Sequence, residues 1–350
     1  MTGEERAIWE RLAHEQPILD VKAAPFGWDA WQRAHADGSS VMIARRDGQP
    51  VAVAALAAHP SWRRQLNPAG DVHWRCSYPI TGRDVTGGIR ALLEDLAAGD
   101  GWDELVLGPM IATSPTLDAI VAEGGALGMR PLVAETGRAY RTVFAGTWDY
   151  FYAARSGNLR SMVARGERRL GDVTLEEHRD IAQLETFFKL EASGWKGREG
   201  SAINSDPVLR TLYLELARDA EARGAFRLYL LRAGADYIAG DYCIEHEGEV
   251  FMLKTGYDVT QAKASPGQVL HKRVLAHLWA TRDVRAFDYM PGGGDHADYK
   301  QRWANDVRAY AEVRLFRPDS ARGQLLAGML RIKRAVANYL QRGVEAEDRP

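Results

Sequence analysis

The chain has 350 residues, 46% of them hydrophobic, a formal net charge of −2 and two cysteines. That length supports two ordinary domains with separate cores, and the balanced charge excludes a general attraction for nucleic acid or acidic membranes. Cys76 and Cys243 lie far apart without CxxC or Cys/His ligand spacing, which fits a reducing cytoplasm and argues against a zinc site, so no metal is expected.

Met1 to Pro17 mixes acids with Arg6, Arg11 and His14 and has no apolar centre, so no secretory signal is expected. No apolar run reaches the ~18 residues of a membrane span. A short helix over Glu4 to Glu15 opens the chain. Strands Val41 to Arg46 and Val51 to Ala58 then flank Asp47-Gly48, a hairpin signal. A strand near Val72 to Tyr78, a helix Gly88 to Ala98, a strand Glu104 to Leu107, a helix Pro115 to Glu123 and a strand Arg138 to Phe144 complete a β-β-β-α-β-α-β order.

Asn158 to Arg169 reads as a basic helix able to meet a phosphorylated acceptor, and helices Ile181 to Ser193 and Pro207 to Arg223 follow. The strand order then returns, with strands Phe226 to Arg232, Tyr237 to Glu245 and Glu249 to Thr255, and a helix Gln268 to Thr281. A strand Ala286 to Tyr289, a short helix around Tyr299 and a strand Arg308 to Phe316 close it. The halves look like divergent copies of one mixed α/β fold. We place the boundaries at residues 1–148, 149–317 and 318–350, the last being a helix and tail. In that tail Leu325, Met329, Ile332, Val336 and Leu340 fall on one face with Arg322, Arg331, Lys333 and Arg334 elsewhere. Packing on the protein is its default role, and contact with anionic lipid is the other.

The most informative run is Ser265-Pro266-Gly267 before the helix at Gln268. Proline suits a first helical turn and glycine lets a ligand approach the backbone, so the outward amides with the helix dipole behind them form a phosphate site that needs no basic side chain. The first half has only Thr86-Gly87-Gly88 at the corresponding place, which points to a structural role for that half and to a ligand cleft with the C-terminal half as donor site.

Gly194-Trp195-Lys196-Gly197-Arg198-Glu199-Gly200-Ser201-Ala202-Ile203, Gly256-Tyr257-Asp258, Ser265-Pro266-Gly267, Phe287-Asp288 and Tyr299-Lys300-x-x-Trp303 together resemble the CelD-like (cellulose-biosynthesis) acetyltransferase branch of the GNAT superfamily, over roughly residues 150 to 316. The resemblance implies tandem GNAT-like (acyl-CoA N-acyltransferase) domains of the α/β (mixed α+β) class, and transfer of an acyl group from acetyl-CoA or a longer acyl-CoA to an amine. Ser265, Gly267, Gln268 and Val269 would cradle the donor phosphates. The superfamily's usual loop reads Arg or Gln, two residues, Gly, one residue, Gly or Ala, where this chain has Ala264, Gly267 and Val269. FemAB-type transferases, which take an aminoacyl group from tRNA, share that degeneracy and the tandem copies.

Direct attack on a thioester needs an uncharged amine, a donor to the oxyanion and a proton for the leaving sulfur. Asp241, Asp258, Asp288 and Asp295 lie on or beside strands of the inferred cleft. Asp258 and Asp288 are the preferred bases because both sit inside the family-like motifs. Each also has a structural alternative: a turn residue for Asp258, and a buried partner of Lys300 or Arg302 for Asp288. Tyr299 is the candidate proton donor and Lys300 the candidate holder of phosphate or carboxylate. Trp195 and Lys196 on the glycine-rich loop, with Tyr257 and Asp295, are candidate acceptor contacts. The expected acceptor is an amino sugar or a cell-envelope polysaccharide or lipid precursor. Ceramide-type N-acylation of a sphingoid base, an aminoacyl-tRNA-dependent transfer and a silent scaffold in envelope polysaccharide synthesis remain alternatives. Nucleic acid enters only as a tRNA donor. The expected location is the cytoplasm, with peripheral contact to the inner membrane through the last helix.

Overall fold

Asp47 and Gly48 take φ values of 51° and 76°, the left-handed pair of a two-residue hairpin turn, and join β1 (Ser40–Arg46) to β2 (Gln49–His59). The computed structural model describes residues 1–16, 21–34, 39–59, 62–70, 77–193, 200, 202–291 and 298–333. Most of the anticipated strand of residues 72–78 lies outside them. The remaining strands are β3 (Gln65–Pro68), β4 (Glu104–Ile111), β5 (Leu132–Val143), β6 (Val173–His178), β7 (Phe226–Ala233), β8 (Asp236–His246), β9 (Glu249–Tyr257), β10 (Ala286–Asp288) and β11 (Asp306–Phe316). The helices are α1 (Gly3–Glu15), α2 (Pro25–Ala34), α3 (Val85–Ala98), α4 (Pro115–Ala126), α5 (Trp148–Ala153), α6 (Gly157–Leu170), α7 (Leu184–Ala192), α8 (Pro207–Ala222), α9 (Pro266–Thr281), α10 (Asp298–Trp303) and α11 (321–333).

All eleven strands form one sheet in the order β1-β2-β3-β4-β11-β5-β10-β9-β8-β7-β6. The repeat of strand order seen in the sequence is present, but the two halves exchange their last strands. β11 of the second half pairs with β4 of the first, and β5 of the first pairs with β10 of the second. β5 and β11 then pair with each other from Leu132↔Arg314 to Arg141↔Asp306, welding the halves together. Alternation along β7 sorts the core: Phe226, Leu228 and Leu230 join the cluster that continues under α1 to α4, whereas Tyr229 and Leu231 join a second cluster under α5, α6 and α9. Helix α2, absent from the sequence reading, buries Trp28 and Trp31, and its Arg33 bonds Glu215 and Asp219 of α8 across the halves.

Two pairs of neighbouring strands are parallel, one in each half. β3 and β4 match over Gln65↔Glu104 and Leu66↔Leu105, and β9 and β10 over Glu249↔Ala286, Val250↔Phe287 and Phe251↔Asp288. Beyond those rungs each pair separates, and what happens in the gap differs between the halves. In the first half the chain itself enters it. Ser77 O accepts from Gly108 N at 3.1 Å, Ile80 exchanges both backbone bonds with Val53, and the Tyr78 hydroxyl accepts from Ile111 N at 2.6 Å. In the second half β9 runs on to Tyr257 with β8 alone, while Tyr289, just past β10, turns its N–H to Tyr140 O of the β5 segment at 3.0 Å.

Candidate functional site

The opening between β9 and β10 is closed at one end by Arg141 of β5. Its guanidinium reaches Glu249 of β9 at 2.6 Å, Asp306 of β11 at 2.6 Å and Asp288 of β10 at 3.5 Å. Asp288 is fully buried, and its Oδ1 also accepts from Met290 N at 2.7 Å. The sequence reading offered Lys300 or Arg302 as its structural partner; the structure supplies Arg141. Lys300 Nζ instead donates to the carbonyls of Tyr289 and Met290, at 2.7 and 3.0 Å, fastening α10 to the segment that leaves β10.

From the end of β9 the turn Val259–Ala264 leads into the start of α9. Ser265 takes the left-handed conformation there, with φ 50° and ψ 52°, and its side chain caps nothing. Its carbonyl receives the N–H of Gln268 and of Val269. A Cβ on Gly267 would meet nothing within 4 Å. The Gln268 side chain accepts from Trp303 Nε1 at 2.9 Å, tying α9 to α10, and Val269 is buried core. Ser265 and Gly267 therefore present the open part of this turn, and Gln268 and Val269 anchor it. The corresponding helix start in the first half is already filled: Asp84 accepts from Gly87 N at 2.9 Å, and a Cβ on Gly88 would lie 2.7 Å from Thr81 Cβ and Val51 O. A carboxylate of the chain itself occupies the place an anion would take.

Asp258 caps the single turn Val259–Ala264. Its two oxygens accept from Thr260 N at 2.9 Å and Thr260 Oγ1 at 2.7 Å. Tyr257, 39% exposed, ends β9, and its carbonyl receives the Ser193 hydroxyl at 2.7 Å. Ser193 closes α7, which this bond ties to the tip of β9. Buried Glu191 of α7 accepts from Ile203 N at 2.9 Å. Trp195 and Lys196 themselves, and Asp295 with its glycine run, lie outside the described residues.

Sequence reasoning missed His271. It sits on the apolar face of α9 between Leu270 and Val274, 2% exposed, with Nε2 3.3 Å from Oδ2 of fully buried Asp241 on β8. None of the four polar atoms of this pair has a well-formed hydrogen bond among the described residues. Buried polar groups are nearly always satisfied, so an unsatisfied pair calls for an explanation. The rings of Tyr289 and Tyr299 lie 5.6 and 5.7 Å from the His271 ring. Burial, helped by the Asp241 charge, pushes both phenols well above their ordinary range, so both stay protonated at neutral pH. The signal was available: Asp241 and His271 each put an ionisable group where the strand and helix periods call for an apolar one. Asp241, Tyr289 and Tyr299 gather around His271, Asp288 and Lys300 bond the Tyr289–Met290 segment, Ser265 and Gly267 lie at the start of α9, and Tyr257 and Asp258 lie at the tip of β9. Among the described residues no group of three His, Cys, Asp or Glu could hold a metal ion.

Residues 153–301 match the family model described as acetyltransferase (GNAT) domain. No curated protein matches the chain. The crystal structure of FemX superposes with a TM-score of 0.64 at 12% identity, covering 90% of this chain and 96% of that one. The C-terminal domain of a putative lysylphosphatidylglycerol synthetase from Agrobacterium fabrum gives 0.57 at 13% identity, covering 93% and 95%. L-PGS from Bacillus licheniformis gives 0.56 at 13%, again covering 93% and 95%. At these identities the likeness is one of fold. Residues 153–301 are thus similar to a GNAT acetyltransferase domain, within a mixed α/β fold whose single sheet runs through both halves of the chain.

Proposed function

We propose that the protein transfers an acyl group from acyl-CoA to an amine, with the donor phosphates at Ser265–Gly267 and the thioester in the opening between β9 and β10. The observation that carries this reading is the asymmetry between the halves. The first-half gap is plugged by Ser77, Tyr78 and Ile80 and its helix start by Asp84, while the second-half helix start has no side-chain cap and open space at Gly267. In the reaction the amine nitrogen bonds to the thioester carbonyl carbon, the C–S bond breaks, the amine loses a proton and the thiolate gains one. Tyr299, held protonated, is placed to supply the thiolate's proton. The Asp241–His271 pair beneath it is the better candidate for taking the amine's proton, because Asp258 is bonded within its turn and Asp288 to Arg141.

The acceptor class, an amino sugar or an envelope polysaccharide or lipid precursor, rests on the CelD-like motifs, with Tyr257 and the loop after Ser193 as its contacts. A donor carried on tRNA is the second reading. Its support is the likeness to FemX and to lysylphosphatidylglycerol synthetases, together with Ala264 and Val269 in place of the usual phosphate-loop residues. Calorimetric titration with acetyl-CoA and a long-chain acyl-CoA, repeated on Gly267→Glu, separates the two. The open space at Gly267 lets the variant fold. Saturable binding lost in the variant is the expected result, and chain-length preference then points to the acceptor. No binding by either thioester overturns the acyl-CoA reading, and activity that needs charged tRNA and falls steeply with salt replaces it.

A further inference from the structure

Helix α11 packs on the sheet through Leu326 and Ala327, which join Phe316 with Leu132 and Leu330 against them. Its outer face is apolar and uncovered: Leu325, Met329 and Ile332 are 61, 54 and 67% exposed. The row extends back to Arg322, three residues before Leu325, whose Nη1 donates to Trp62 O at 3.0 Å. Trp62 is itself 61% exposed, with the Arg63 guanidinium 5.8 Å from its ring centre. Nine large hydrophobic side chains are exposed among the described residues, and four of them meet on this surface.

Charge identifies the occupant. Residues 321–333 contain Arg322, Arg331 and Lys333 and no acid, in a chain whose net charge is −2. Among the described residues, three acids beside it are already engaged: Asp103 is buried against Ser320 and Arg322, and Asp319 and Asp100 pair with Arg317. An exposed tryptophan and an aliphatic row bordered by arginine and lysine match the boundary of an anionic bilayer, where the ring sits at headgroup depth and the cations meet lipid phosphates. A second copy of this chain would bring Arg63, Arg322, Arg331 and Lys333 against their own kind.

We propose that the protein docks on anionic membranes through Trp62 and the Leu325–Met329–Ile332 face of α11. This does not depend on the acyltransferase reading. Co-sedimentation of the full chain with phosphatidylcholine vesicles, with and without phosphatidylglycerol, tests it. Binding is expected only with phosphatidylglycerol and to weaken with salt. Arg331→Gln with Lys333→Gln should weaken it about 25-fold, taking about fivefold for each basic group at the surface. Trp62→Ala, and separately Leu325→Asn with Met329→Asn and Ile332→Asn, should reduce it at least about tenfold, and circular dichroism should find the fold unchanged because all four side chains point outward. Vesicle binding that survives these apolar replacements overturns the proposal. So does a lack of vesicle binding together with a self-association that the same replacements abolish, which would assign the face to a second copy.

Discussion

Asp283 shows how one side chain carries acid sensitivity. Burial alone would raise its pKa, but hydrogen bonds from Arg227 and Thr281 and the Arg227 charge outweigh it and hold the value at about 2. A carboxyl whose folded pKa lies below the unfolded value of about 3.9 stabilises the fold above that pH and loses the contribution as pH falls towards 2. Asp283→Asn should therefore flatten the acid limb of the stability-versus-pH curve below about pH 4, measured by urea unfolding at several pH values. Tyr299 gives the opposite test. Its raised pKa keeps the hydroxyl protonated, so the kcat–pH profile should show no tyrosine ionisation up to about pH 10, the ordinary value. Tyr299→Phe should lower thiol release from acyl-CoA, in the presence of amine, about 10²-fold. Asp241→Asn should lower it as well, without moving the KM for acyl-CoA. At this scale the sequence was only partly legible. The motifs single out Tyr299, Asp258 and Asp288, and they carry no sign that the oxygens of Asp258 bond Thr260 and that Asp288 lies against Arg141. His271 and Asp241 each stand out from an apolar pattern, but the sequence does not show that the two lie 3.3 Å apart, on a helix and a strand thirty residues from each other.

At the scale of elements, close approach of backbones decides where the opening can lie. A Cβ on Gly256 would fall 2.5 Å from Glu191 Cα and 2.6 Å from Glu191 N, so β9 and α7 touch only because that position is glycine. Gly256→Ala should destabilise the protein by about 1–3 kcal/mol, the range for overpacking, and should loosen the loop between Ser193 and Ile203, read as faster proteolysis there. Arg141 is the corresponding fixed point at the closed end. Removing it takes the guanidinium away from fully buried Asp288 and leaves Glu249 with Arg285 and Arg308, and Arg141→Ala should reduce stability by about 3–5 kcal/mol in a denaturant titration. Elements with strong local signals were legible: the Asp-Gly hairpin, the core helix after Ser265-Pro266-Gly267, and the Pro207 helix capped by Asp206. Helix α2 was not, since Gly27 and a mixture of tryptophans and polar residues hide a face that becomes apolar only by packing on α8. Strand β6 escaped because its Glu176, Glu177 and His178 give no apolar alternation, yet Glu176 pairs with Arg232 and His178, and Glu177 with Arg227 and His277. The filling of the first-half gap by Ser77 to Ile80 is a long-range event with no local signature.

At the scale of the molecule, the repeat was legible and the exchange was not, because strand order along the chain says nothing about which neighbour a last strand chooses. The exchange has a mechanical consequence. The order of strands β1 to β5 is repeated by β7 to β11, yet β4 is completed by β11 and β10 by β5. A half expressed alone would expose the edge of β4 or of β10, and an unpaired sheet edge invites aggregation. Each half would also release a long strand, β5 or β11, of which only the first-half or second-half partner can make full use. The intact protein should therefore unfold in one cooperative transition, coincident by circular dichroism and tryptophan fluorescence. Chains divided between Gly146 and Thr147, in the short link between β5 and α5, should be insoluble when expressed singly and should associate into a stable pair when co-expressed. A second half that folds and binds acyl-CoA alone would show that β5 is dispensable to it. Its β10 edge, with only three rungs to β9 on the other side, makes that the less stable arrangement, since Asp288 would then be buried without Arg141.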